Sequence, residues 1–197
     1  MQLLQIKDFC RTGSGGTPSR SKQQEYYVNG TIPWVKSGEL ARSIVDTASE
    51  YITEAGLKGS SAKLLQPGAI LIAMYGATVG QVSKLGITAA TNQAICNIYP
   101  DTNICDLDYL YWVLKSAKDH LLSQRVGGGQ PNISQTIIKS LKIPLPPLSE
   151  QKRIAGILDA ADSLRAKRRE ALAQLDTLLQ STFLDLFGDP VTNPKGW

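Results

Sequence analysis

From Ser149 to Phe187 the sequence contains no proline and a single glycine, Gly156. Apolar residues recur at helical spacing at Ile154, Ile157, Leu158, Ala161 and Leu164, then at Leu172, Leu175, Leu179, Phe183 and Leu186. The eight-residue step from Leu164 to Leu172 slips this seam where Arg168 stands. Ser149 is the expected N-cap, Glu150 suits the first turn, and Gly188-Asp189-Pro190 is a strong stop signal. The 38 residues from Glu150 to Phe187 predict one helix of about 57 Å at 1.5 Å per residue. A lone helix of that length leaves its seam in water. The pattern therefore calls for a partner helix, and an antiparallel coiled coil is expected.

The preceding residues, 1–148, read differently, as short elements separated by many turns. Strands are expected around Leu3–Ile6, Ile32–Val35, Gly68–Tyr75, Val79–Lys84 and Asn92–Tyr99. Thr53 and Asp106 are placed to start helices, Ser134 caps a third, and the prolines of Lys142–Pro147 require an extended segment. Trp34 and Trp112 read as core. The expected fold class is α+β: a mixed α/β globular domain at 1–148, the long helix at 149–187, and a tail at 188–197. With 197 residues, 42% hydrophobic and 19% charged, such a core can form. The longest apolar run, Ala69–Tyr75, is too short for a spanning helix, and Met1–Lys7 has no leader-like pattern, so a cytoplasmic protein is expected. Cys10, Cys96 and Cys105 form no C-x-x-C pair and read as reduced thiols.

The chemistry of catalysis is hard to find in this chain. There is one histidine, His120, which reads as a solvated residue at a helix end. No phosphate loop, dinucleotide fingerprint, G-x-S-x-G elbow or metal-spaced acidic cluster occurs. The net charge of +4 belongs wholly to residues 1–148, which hold 14 Lys+Arg against 10 Asp+Glu, whereas the helix and tail balance to zero. A moderate basic surplus permits an anionic partner such as DNA without demanding one.

Three loops carry the residue types that read nucleic acid. The first combines Arg11, Thr12, Ser14, Thr17, Ser19, Arg20 and Lys22 with glycines that admit a backbone close to a duplex, and Lys36 follows Trp34 nearby. The second runs through Tyr75, Thr78 and Gln81, with Lys84, Asn92 and Gln93 close in sequence. The third spans Arg125 to Asn132 and offers Gln130 and Asn132, whose amides suit adenine. Taken singly, each loop reads better as a plain solvated turn. A helix-mediated assembly module without sequence-specific DNA binding is the competing reading.

In this order the residues resemble the specificity subunit of type I restriction-modification systems. The resemblance rests on Ser14–Pro18, Ile32–Val35, Gly68–Leu71, Tyr75–Gly80, Thr91–Ala94, Asn132–Ser134, Ile143–Leu148, Glu150–Asp159 and Ser181–Pro190. It implies a target-recognition domain at 1–148 and a conserved-region helix at 149–187 for dimerisation and methyltransferase docking. Family members hold methyltransferase subunits that use S-adenosylmethionine to methylate adenine N6, and restriction subunits join them. The specificity chain is then a non-catalytic DNA-binding protein that binds no cofactor and no metal. Family members carry two recognition domains and two helices, so the resemblance further implies a half-length form, either a natural half-subunit or a chain cut at its midpoint. A homodimer on a palindromic split target is the expected assembly.

Overall fold

The computed structural model describes residues 2–124 and 132–196 and forms two compact units, Met1–Ile154 and Ala155–Trp197. In chain order the elements are β1 (Gln2–Gln5), α1 (Ile6–Phe9), β2 (Cys10–Ser14), α2 (Gln23–Tyr26), β3 (Ile32–Val35), β4 (Ile44–Val45), β5 (Tyr51–Ile52) and α3 (Glu54–Lys58). They continue with β6 (Ile70–Ala73), β7 (Val82–Leu85), β8 (Ala90–Thr91), β9 (Ile95–Pro100), α4 (Leu107–Ser116), α5 (Lys118–Ser123), α6 (Gln135–Ser140), β10 (Lys142–Leu145) and α7 (Leu148–Phe187). The α+β class expected from the sequence is what the chain forms.

Among the described residues, three small sheets build the first unit. The largest has the order β2-β9-β6-β7-β4, the second β5-β3-β8, and β1 pairs β10 alone. Central strand β6 is buried on both faces, as its unbroken Ile-Leu-Ile-Ala run demands. Leu71 and Ala73 join Val35, Leu40, Val45, Leu85 and Ile95 in one core cluster. A second cluster gathers Tyr26, Tyr27, Ile32, Trp34 and Ile52 around β3. Trp34 is therefore core, as expected, while Trp112 on α4 is only half-buried.

The stretch Arg11–Ser14, expected to be loop, is strand β2. It pairs with β9 from Cys10↔Pro100 to Ser14↔Cys96. Its Thr-Gly-Ser composition favours a turn locally, but long-range pairing against a hydrophobic strand overrides that preference. The expected helical caps do form: Asp106 accepts from the Tyr109 N–H at 3.0 Å and Ser134 from that of Ile137 at 3.2 Å. Replacing Asp106 with alanine is expected to cost about 1 kcal/mol, read as a lower midpoint in urea unfolding.

Helix α7 has 40 residues, about 60 Å at 1.5 Å per residue. It begins at Leu148, so Ser149 is not its N-cap. The Pro147 carbonyl already accepts from the Glu150 and Gln151 N–H groups, which draws the helix start two residues earlier. Gln151, fully buried, completes that first turn. Its Oε1 accepts from the Asp106 N–H at 2.9 Å, and its Nε2 donates to the carbonyls of Ile104 (3.0 Å) and Pro146 (2.8 Å). Thus the proline segment, the start of α4 and the start of α7 are tied at one side chain. At the other end Gly188 takes φ +80° and donates to the Leu184 carbonyl, while the Lys195 ammonium donates to the carbonyls of Asp185 and Leu186. A cation on the last carbonyls complements the helix dipole.

Candidate nucleic-acid interface

The first and second loops meet through glycine. Gly15 and Gly16 donate to the carbonyls of Ile95 (3.3 Å) and Thr91 (2.9 Å). A Cβ on Gly15 would strike Thr91 and the Asn92 carbonyl, so only glycine allows this approach. Thr17 then donates its hydroxyl to Gln93 Oε1 across the junction. Beside it, the Met74 N–H donates to the Ala94 carbonyl at 2.7 Å, and the chain turns through Tyr75–Gly80. Gly76 and Gly80 both take φ +77°, the left-handed conformation such a turn needs, and Gly80 closes it by donating to Ala73 at 2.8 Å. Tyr75, exposed, forms an isolated bridge to Asn132. The segments 15–17, 74–80, 91–94 and residue 132 therefore form one surface, although they lie far apart in sequence.

Behind this surface some buried side-chain oxygens are left unsatisfied. Among the described residues, Gln81 Oε1, Asn92 Oδ1 and Thr91 Oγ1 have no hydrogen-bond partner. Thr78 holds the turn through its carbonyl, which accepts from the Gln81 N–H at 2.9 Å. Ser14 ends β2 in an exposed position, and Thr12 lies half-buried behind it, 3.4 Å from Gln135 Nε2.

A second cluster lies on the β3–β5 pair. Arg20 pairs its two terminal nitrogens with both carboxylate oxygens of Glu50, the NH2–Oε2 distance being 2.9 Å, and Lys36 reaches Glu50 at 3.3 Å. The paired cations hold the Glu50 carboxyl below the usual carboxylate range, the hydrogen bond from Arg20 being the largest cause. Ser19 bonds to Ser21 at 2.8 Å, and Lys22 sits with Glu25 at 3.4 Å and over the Tyr26 ring. Glu50 was not legible as a site residue. Its place follows from the register Pro33↔Tyr51, which sets Glu50 opposite Trp34, and no local pattern announces that pairing.

Other candidate residues lie elsewhere. Lys84 turns to α4, where it pairs with Asp108 at 2.7 Å and lies over the Tyr111 ring. Arg11 lies on β2 over Tyr99, beside a cleft of about 500 Å³ lined by Lys7, Asp8 and Asp101. Lys118, not singled out from sequence, packs its methylenes against Gly80. Arg125 and Gln130 fall outside the described residues.

Nucleophilic chemistry is disfavoured by what surrounds the thiols. Burial pushes Cys96 and Cys105 up to about 12 and raises Cys10 further, so all three stay protonated at neutral pH. Among the described residues, no group of three or more His, Cys, Asp or Glu could hold a metal ion. No helix among them is long and apolar enough to cross a membrane.

Residues 1–174 match the type I restriction modification DNA specificity domain. The chain belongs to this family. It is 33% identical over 174 residues to the specificity subunit of the type I restriction enzyme EcoR124I/EcoR124II of Escherichia coli, covering 86% of this chain and 43% of that one. It is 29% identical over 215 residues to the MjaIX specificity subunit of Methanocaldococcus jannaschii, covering 99% of this chain and 49% of the relative. The HsdS subunit from Thermoanaerobacter tengcongensis shares the fold, with a TM-score of 0.67 at 20% identity over 95% of this chain and 44% of its own. This specificity-domain chain thus spans about half the length of the relatives it matches.

Proposed function

We propose that this chain reads one half of a split double-stranded DNA target for a type I restriction-modification complex. The observation that carries the proposal is the single surface formed by segments 15–17, 74–80 and 91–94 in a member of the specificity-domain family. Residues such as Thr17, Tyr75, Thr78, Gln81, Asn92, Gln93 and Asn132 offer hydrogen bonds there, while Ser14, Ser19, Arg20, Lys22 and Lys36 supply polar and cationic contacts around it. Residues 1–148 act as the recognition domain and 149–187 as the assembly helix. The chain performs no chemistry on DNA itself. Methyltransferase subunits bound along the helix supply S-adenosylmethionine and methylate adenine, restriction subunits add to that assembly, and the work is done in the cytoplasm.

The helix supports the assembly half of the proposal. In the second unit Ile157, Leu158, Ala161, Leu164, Leu172, Leu175, Leu179, Phe183 and Leu186 are all exposed, Leu164 at 68% and Leu179 at 69%; Ile154, at the end of the first unit, is half-buried. Leu178, Leu184 and Phe187 widen the apolar strip toward the C-terminal end. A second copy pairing antiparallel would bury these seams and relate two recognition domains by a two-fold axis, which requires an inverted repeat in the DNA. Light scattering is expected to give twice 21.4 kDa. Duplex affinity is expected to fall linearly on logarithmic axes as salt rises. A monomer at all concentrations would overturn the paired helix, and affinity indifferent to salt would favour a protein-binding module instead.

A further inference from the structure

We infer that Arg20 reads a guanine in the half-site and that Glu50 is the residue that orients it. The inference rests on the DNA-recognition reading above and goes beyond it, assigning one base to one side chain. The guanidinium is confined on two sides. Its terminal edge is taken by both oxygens of Glu50. One face lies over Tyr27, 4.2 Å from the ring centroid, and over Trp34 at 5.4 Å.

The platform is itself fixed. The Tyr27 hydroxyl donates to the Pro18 carbonyl at 2.6 Å, and the Trp34 indole N–H donates to the Gly16 carbonyl at 3.0 Å. The two rings meet edge to face at 6.0 Å. Both bonds run to the first glycine loop, so the platform that carries Arg20 also holds the surface where Gly15 meets Thr91 and Asn92.

A guanidinium has two forked edges. The terminal edge faces Glu50, and among the described residues Nε has no hydrogen-bond partner. The side edge, Nε–H with one terminal N–H, is therefore available. A fork of that shape matches the O6 and N7 acceptors of guanine in the major groove. Burial agrees with this division of labour: the Arg20 side chain is 48% exposed and Lys36 40%, while Glu50 between them is 22% exposed. An isolated surface ion pair is worth about 0–1 kcal/mol and needs neither an aromatic platform nor a second cation. Held in advance, the fork loses little side-chain freedom on binding. Lys36, with a rotating ammonium, suits an adjacent phosphate.

The test is selection of a fully randomised duplex library by the full chain, followed by sequencing, for the wild type, Glu50→Gln and Arg20→Lys. The wild type is expected to fix guanine at one half-site position. Both variants are expected to relax that position by about 5- to 150-fold while the other positions keep their preference. Glu50→Gln is expected also to bind unrelated duplex at least as tightly as the wild type, with a salt slope steeper by about one. Placing 7-deazaguanine at the assigned position should weaken the wild type and leave Arg20→Lys unmoved. If all positions weaken together, or none changes in either variant, Arg20 is a structural clamp or a phosphate contact and the inference fails. A wild type that selects no motif would instead sink the recognition reading beneath it.

Discussion

Replacing Gln151 with leucine is expected to destabilise the first unit by about 3 kcal/mol, a fall in Tm of roughly 6–12 °C. The reason is an asymmetry in hydrogen bonding. The Gln151 amide sits fully buried and satisfies three backbone groups at once, the Asp106 N–H and the carbonyls of Ile104 and Pro146. Leucine fills a similar volume but returns none of those bonds, and buried groups left unpaired bear their full desolvation cost. Lys152 and Arg153, one and two residues later, are exposed, and alanine at Lys152 should stay within about 0.5 kcal/mol of the wild type. Thermal unfolding followed by near-ultraviolet circular dichroism separates the two. Equal, small shifts for both variants would mean that the start of α7 is not pinned by Gln151.

Inserting four residues beside Arg168 is expected to lengthen the DNA spacer between half-sites by about one to two base pairs. Four residues add about 6 Å and rotate the downstream seam by about 40°, close enough to preserve its apolar face. Arg168 lies at the middle of the 40-residue helix, so in a two-fold antiparallel pair the two insertions face each other and the flanking seams stay in register. Two inserted residues instead rotate Leu172, Leu175 and Leu179 by about 200°, away from the partner, and should abolish pairing. Spacer preference is read by binding to a series of duplexes with graded spacers. An unchanged optimum after the four-residue insertion would contradict the helix as a ruler.

Local patterns made some of this molecule legible and long-range pairing hid the rest. Helix α7 was readable because its periodicity, its lack of proline and its Gly188 stop are all local signals. Asp106 and Ser134 announced their helices for the same reason. Strand β2 has the local signature of a loop because Gly13 and Ser14 prefer turns, and only the register with β9 makes them a strand. Ser149 has the residue type of a cap, yet the Pro147 carbonyl starts the helix two residues sooner.

The candidate site shows the same division. Thr17 with Gln93, and Tyr75 with Asn132, were each picked on residue type, and the fold brings each pair together. Lys84 carried the right chemistry but is engaged by Asp108, which lies 24 residues on. Glu50 had no local signature at all, because its importance arises from the β3–β5 register that sets it opposite Trp34.

The central claim is that residues 1–148 choose the DNA sequence on which a partner methyltransferase acts. Its most direct test is a map of adenine methylation in cells carrying the methyltransferase subunit with this chain, without it, and with the helix-insertion variant. The account predicts a split, inverted-repeat motif that disappears without the chain and reappears with a longer spacer in the variant. Methylation that is absent in all three cells, or identical with and without the chain, would contradict it.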